Sequence, residues 1–408
     1  MNKQIIAAVL ALPLALSSAF AQEAEGPTVK IRGFGTGALT WTDTNDAEFA
    51  RPNQAAGAKK SPRTGVDSNL GLQADIGINS WLSFTGQGLV RHDADDNYGA
   101  ELAWAFAKAK INDQFSVRVG RIGLPAFMIS DYRNVGYANT FLRPPVEMYS
   151  QVPFNSVDGI DATYQHSFGD TTVTGQLAYG RTSADVAVGL RAKGKKITAL
   201  NLVAEHGPFT ARIGRVDAKI TITGSSSLNA LIGGLRMAGA GYNLPQLTTM
   251  GNELDATDKK ASFTSVGLGM DWNNIVAQSE FAKRKTDSYV NDTTSWYLMG
   301  GYRIGKVLPY VIHGKLSIDG YPANVIPAGV PALAALRAGA SGLPYYGIGQ
   351  GEQSTTSVGV RWDFHSSMAL KAQIDRVQPK IGNGLLINAK PGFHDDVTVG
   401  AVALDFVF

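Results

Sequence analysis

The chain contains no cysteine in 408 residues. No disulfide braces it, although small exported domains commonly rely on them. Long hydrophobic runs are missing too. Beyond the N-terminal stretch no segment reaches about 18 consecutive apolar residues, the length that a membrane-spanning helix needs. The mean hydropathy is −0.05, far too low for a bundle of such helices. An excess of charge of one sign is missing, because 37 Lys and Arg stand against 34 Asp and Glu and leave a formal net charge of only +3. That argues against nucleic acid or an acidic polymer as a partner. The six histidines (His92, His166, His206, His313, His365 and His394) stand at no metal-binding spacing, so no metal and no cofactor is expected. The glycine-rich Gly33–Gly37 has no helix after it and fails the context test for a phosphate cradle.

What is present is an export signal followed by a long alternating pattern. Lys3, the apolar stretch Ile5–Leu16 and the small-residue site Ala19-Phe20-Ala21 predict a signal peptide over residues 1–21, cut before Gln22. The remaining 22–408 then form the working domain. Hydrophobic residues make up 44% of the chain and 46 glycines are spread through it, which excludes a disordered polymer. Closing a sheet on itself gives every strand two partners, so cross-links are not needed.

Period-two alternation recurs from end to end and predicts sixteen strands. They span roughly 29–41, 66–78, 81–91, 100–111, 115–122, 157–165, 171–181, 197–206, 209–217, 262–272, 275–285, 294–304, 307–317, 355–365, 368–378 and 397–408. In the second, Leu70, Leu72, Ala74, Ile76 and Ile78 fall on one face while Asp67, Asn69, Gln73 and Asp75 fall on the other. One face requires water and the other an apolar medium. Connections alternate between short Asn, Asp, Gly, Ser and Pro turns and long segments at 42–65, 92–99, 123–156, 182–196, 218–261, 286–293, 318–354 and 379–396. The expected fold class is all-β: a transmembrane antiparallel barrel of sixteen strands, with short periplasmic turns and long extracellular loops. The six tryptophans then belong to aromatic girdles at the two interfaces. A barrel of sixteen strands is too wide for its own side chains to fill.

The third long loop, from Arg121 to Ser156, is rich in aromatic, apolar and proline residues, including Pro144-Pro145. Such a loop needs a surface to pack on, and the inner barrel wall is the nearest one. Val117-Arg-Val-Gly-Arg121, the Asp-Tyr-Arg and Arg-Pro-Pro-Val-Glu-Met-Tyr segments, the alternating loop lengths and the final strand ending at Phe408 together resemble the sixteen-stranded porins of Gram-negative outer membranes. The resemblance implies that the third loop folds inward and constricts a pore, that loop charges face basic wall residues, and that barrels associate as homotrimers. It also implies that Phe408 is a C-terminal assembly signal. The Pro-Glu-Phe-Gly-Gly segment of the general porins is absent, and Arg143-Pro-Pro-Val-Glu147 stands in that region. Loop candidates are Asp131, Arg133, Arg143 and Glu147. Wall candidates are Lys30, Arg32, Arg91, Arg118, Arg361 and Lys371.

The functional expectation is a water-filled channel for passive diffusion of small hydrophilic solutes and ions. Its partners would be outer-membrane lipid and lipopolysaccharide, and it would perform no enzymatic step. An energy-coupled receptor is not expected, since no plug segment precedes Val29. Two alternatives remain: a barrel enzyme such as a lipid hydrolase, and an occluded structural or adhesive barrel. The acidic stretches His92–Asp96 and His394–Asp396 read as solvated loop tips, or as a cation bridge to lipopolysaccharide. Two apolar loop segments, 228–247 and 325–348, predict short helices that either gate the mouth or pack on each other as a lid.

Overall fold

Exposure along β2 (Asn69–Gly77) is inverted relative to a soluble protein. Leu70 and Leu72 are 50% and 53% exposed, whereas Gln73 and Asp75 are 8% and 3% exposed. The greasy face looks outward and the polar face looks into the molecule, as a sheet surrounded by lipid requires. The computed structural model describes residues 27–187, 189–320, 324–346 and 351–408. The expected signal peptide, residues 1–21, lies outside them.

Sixteen antiparallel strands form one closed barrel in sequence order. After β2 come β1 (Thr28–Thr42) on one side and β3 (Leu82–His92), β4 (Tyr98–Lys110) and β5 (Phe115–Gly123) on the other. Then follow β6 (Ser156–Phe168), β7 (Thr171–Ala187), β8 (Leu190–His206), β9 (Phe209–Thr223), β10 (Lys259–Trp272) and β11 (Ile275–Thr286). The circle is completed by β12 (Thr293–Tyr302), β13 (Val307–Ile318), β14 (Gln353–His365), β15 (Met368–Pro379) and β16 (Val397–Val407). At the seam β1 pairs with β16 from Phe34↔Val407 to Thr42↔Val399. Phe408 extends that register, with Gly33 N donating to its carbonyl at 2.9 Å and its own N donating to Gly33 O at 2.9 Å. Its ring lies across Gly33, where an added Cβ would stand 2.0 Å from Phe408 Cζ. Glycine is needed here for close approach, and the aromatic covers the bare backbone.

Every predicted strand is found, but one predicted long loop is not. Residues 182–196 belong mostly to β7 and β8, which continue to Ala187 and from Leu190. The charges that read as loop sit on the outer face: Arg191, Lys193 and Lys195 are exposed while Ala192 and Ile197 are buried. Two further loops, expected at 92–99 and 286–293, shrink to 93–97 and 287–292. In this sector the two faces exchange character along the strand. On β9, Ile213 faces out and Arg212 faces in, yet nearer the long-loop end Arg215, Asp217 and Lys219 face out while Val216, Ala218 and Ile220 face in. The hairpins therefore rise beyond the apolar belt, with a wet outside and a dry inside.

Trp41, Trp81, Trp272, Trp296 and Trp362 lie on outward positions or in a short turn. Trp104 does not. It pairs with the inward, buried Gln87 and its ring reaches Gly123, because a bulge between Gln87 and Gly88 shifts the phase of β4. The two apolar loop segments form helices Ser226–Gly241, Pro245–Leu254 and Ala334–Tyr346, which share a core of Leu235, Leu247, Ile326 and Leu333. They pack chiefly on each other at the long-loop end.

Candidate functional site

The lumen is crossed by residues 124–155, the connection between β5 and β6. Its first stretch lies on the far wall. Pro125 O accepts from Arg212 Nη2 at 2.7 Å, Ala126 O accepts from Ser265 Oγ at 2.9 Å, and Met128 N donates to Glu280 Oε2 at 2.9 Å. Gly267 and Gly269 leave room for the Met128 side chain against β10. The chain then swings past Gly123, where Asp131 sits, to Phe34 and Leu89, which pack on Val135.

The second stretch runs along β13–β16 and β1. Lys371 Nζ donates to the carbonyls of Gly136, Asn139 and Phe141 at 2.8, 2.6 and 2.9 Å, and pairs with Asp405 at 2.9 Å. Arg361 donates to the carbonyls of Tyr137 and Asn139 at 2.8 and 2.7 Å, and its guanidinium stacks on the Tyr137 ring at 5.0 Å. Leu142 N donates to Tyr310 Oη at 3.0 Å. Arg143 reaches Asp67 at 2.8 Å through Nη2 and Asp375 through Nη1, with the Phe49 ring 4.8 Å from its guanidinium. A one-turn helix, Val146–Tyr149, places Glu147 to accept from Gln353 Nε2 at 2.7 Å and from Thr355 Oγ1, and Tyr149 to donate to Glu280. Phe127, Phe141, Met148 and Tyr149 join wall residues Phe263, Tyr297 and Tyr310 in one apolar cluster inside the barrel.

The sequence-predicted charges thus divide by position. Arg143 and Glu147 are buried against the wall, and Arg361 and Lys371 are the wall groups that grip the loop backbone. Asp131 and Arg133 lie on the part of the loop that turns toward β3–β6. Arg133 Nη2 donates to Phe154 O at 3.3 Å, and burial, then the nearby Arg91 and Arg51, pull its pKa down to about 9. Burial raises the Asp131 pKa, opposed by Arg118. Arg143 behaves differently: burial lowers its hold on a proton, but Asp67 and Asp375 more than reverse this. Arg118 pairs with Asp161 at 3.0 Å, Arg91 with Glu101 at 3.0 Å and Arg32 with Asp75 at 3.4 Å. Lys30 is half-buried on the inward face of β1 near the short-turn end.

Asp375, Glu280 and Arg212 were not singled out from the sequence and Asp67 only as a polar-face residue, yet these four bind the loop, and Asp405 holds the Lys371 that grips it. Asp405 carried the clearest signal, an acid between Leu404 and Phe406 on an otherwise uncharged last strand. Among the described residues, a cavity adjoins the loop on each side. One of about 250 Å3 on the short-turn side is lined by Lys108, Arg118, Asp131 and Arg212 among others. The other, of about 540 Å3, faces the long loops and reaches down to Val152 and Phe154.

No family model matches this chain, and no curated protein matches it in sequence. Solved structures do match in shape. The anion-selective porin of Comamonas acidovorans aligns over 94% of this chain and 100% of its own, at 12% identity and a TM-score of 0.55. OmpT, an outer-membrane protein of Vibrio cholerae, aligns over 95% and 99% at 11% identity and 0.53. The outer-membrane channel DcaP of Acinetobacter baumannii aligns over 94% and 99% at 10% identity and 0.53. Identities this low speak to architecture alone. The chain has the fold of the sixteen-stranded outer-membrane porins, a closed antiparallel barrel with an inward third loop.

Proposed function

We propose that the protein is a channel of the Gram-negative outer membrane through which small hydrophilic solutes diffuse passively, narrowed by residues 124–155. One observation carries this reading: a barrel with an apolar exterior holds polar, charged side chains on its inner face, and the loop is fastened inside it. The inner cavity is lined by Gln73, Asp75, Lys108 and Arg118, polar groups that favour water over an apolar filling, as a conducting lumen requires. The residues we propose to face the passage are Asp131 and Arg133 on the loop, with Lys30, Arg32, Arg91 and Arg118 on the wall. Arg143, Glu147, Arg361 and Lys371 serve as fasteners. The cluster of Arg51, Arg91 and Arg133 supports a preference for anions. We further propose export through the 1–21 signal with cleavage before Gln22, seam closure assisted by Phe408, contact with lipid and lipopolysaccharide, and assembly as a homotrimer. The similar Vibrio cholerae OmpT is described in a trimer form.

The test is deletion of residues 129–146 from the folded barrel, followed by single-channel recording in planar bilayers. Conductance should rise, and reversal potential across a salt gradient should lose part of its anion bias. Unchanged conductance would remove the loop from the role of constriction. A second reading, an occluded barrel, is favoured by one observation: the apolar cluster fastens the loop across the lumen, and the two cavities share no lining residue. Intact folding with no ion current would select it.

A further inference from the structure

The outer cavity differs from a water-filled vestibule. It holds about 540 Å3, within the range of roughly 300–1,000 Å3 that small-molecule sites occupy. Its wall is the dry inner side of the risen hairpins, including Ile197, Val216, Ile220 and Phe263, with Phe154 of the inner loop and Leu386 of the last loop. Ile197, Val216, Phe263, Phe154 and Leu386 are buried and Ile220 is half-buried, so the cavity offers an apolar lining, from which a wall that only had to pass salts would gain nothing.

The charges are equally one-sided. Among the described residues that line the cavity, the only ionisable side chains are Arg51 and Arg284. Arg284 is fixed by donating to the carbonyls of Gln151 at 3.0 Å and Asn291 at 3.1 Å. The Arg51 guanidinium makes no hydrogen bond to a carboxylate among the described residues. Asp67, the acid whose field it feels, is already engaged by Arg143 at 2.8 Å and Thr40 at 2.7 Å. Burial lowers the proton affinity of Arg51, countered by Asp67 and deepened by Arg91 and Arg143. An incoming carboxylate would complete that guanidinium with a charge-assisted, two-pronged bond.

We propose that this cavity binds amphipathic organic monoanions, with the carboxylate on Arg51 and a compact hydrocarbon body against Val216, Ile220 and Phe263. The proposal rests on the channel reading, since the floor of the cavity is the inner loop and a bound solute stands directly above the passage. A cation of the same shape meets two guanidinium groups, a neutral analogue lacks the anchor, and acetate lacks the body. The site selects for both properties at once.

The experiment is equilibrium dialysis of cyclohexanecarboxylate against the full-length protein folded in detergent. Acetate, cyclohexanemethanol and cyclohexylmethylammonium are run beside it. Cyclohexanecarboxylate should bind at least about tenfold more tightly than each of the three. Arg51→Gln should weaken it about tenfold, and Ile220→Asn should weaken cyclohexanecarboxylate while leaving acetate unchanged. Each variant is first shown to be folded by its heat-modifiable migration on gels; if one does not fold, the other carries the test. Equal binding of the ammonium compound, or unaltered affinity in a folded Arg51→Gln protein, overturns the proposal. Dialysis does not require current. A barrel that binds but does not conduct refutes the channel reading, whereas one that conducts and does not discriminate refutes this inference.

Discussion

Arg143→Ala is the most informative single change. The guanidinium lies between two carboxylates, and the three side chains are 3% (Arg143), 1% (Asp67) and 3% (Asp375) exposed. Removing one partner of a buried pair costs about 3–5 kcal/mol, because the remaining charge is left desolvated. Here one cation serves two anions, so about 4 kcal/mol is a moderate expectation. At 1.4 kcal/mol per decade, the ratio of seated to released loop falls nearly a thousandfold, on the order of 10³. The barrel itself keeps its strand ladder, so the effect is local. Channels should flicker between narrow and wide conductance, and a protease added from the long-loop side should cut within 124–155. Arg143→Lys keeps the charge but not the fork, and should lose only about 1–2 kcal/mol. Combining Arg143→Met with Asp67→Asn and Asp375→Asn removes all three charges and should restore most of the seating. If folded Arg143→Ala protein shows quiet conductance and a protease-resistant loop, the reasoning that this ion triad fastens the loop is refuted.

Three further outcomes are expected. Lys371→Met removes the donor to three loop carbonyls and strands Asp405; urea unfolding in lipid vesicles should show a loss of about 3–5 kcal/mol, partly recovered by adding Asp405→Asn. Gly33→Leu places a side chain where the Phe408 ring lies; strain of about 1–3 kcal/mol at the seam should lower the heat-modifiable fraction, and an unchanged fraction would show that the seam tolerates the side chain. Burial raises the Glu147 pKa above its ordinary 4.5, although Thr355 and Gln353 oppose the shift. Its contribution to the seated loop is therefore fully present below pH 4.5 and is lost as pH rises through the folded value. Channel noise should fall on acidification, and Glu147→Gln should flatten that part of the profile.

Much of this architecture is legible in the sequence because a barrel wall obeys a two-residue period that no packing detail can hide. Leu70, Leu72 and Ile76 against Gln73 and Asp75 are enough to orient a strand. The rule assumes that outward means apolar. It therefore fails on Arg191, Lys193 and Lys195, where the strands have left the lipid and the polarity is reversed. Trp104 escaped for a related reason, since a bulge changes the phase without changing composition. The inner loop could be recognised from its apolar content, but not the function of its charges. Arg143 and Glu147 look like pore-facing groups in a list of residues, and only their partners on β14 and β15 and at Asp67 show what they hold. Those partners lie far away in sequence, where no local pattern connects them.

That distance has a consequence for the order of assembly. The inner loop precedes β6, yet it is tied to Gln353, Arg361, Lys371 and Asp375 on β14 and β15, with Lys371 itself held by Asp405 on β16. The resting place of residues 136–147 is incomplete until these last strands have been added. The first stretch of the loop can dock once β9–β11 are in place, but its second stretch has its full set of partners only when the last strands have joined. Closing the ring and seating the far half of the inner loop are therefore one event, since the same last strands supply both sets of partners.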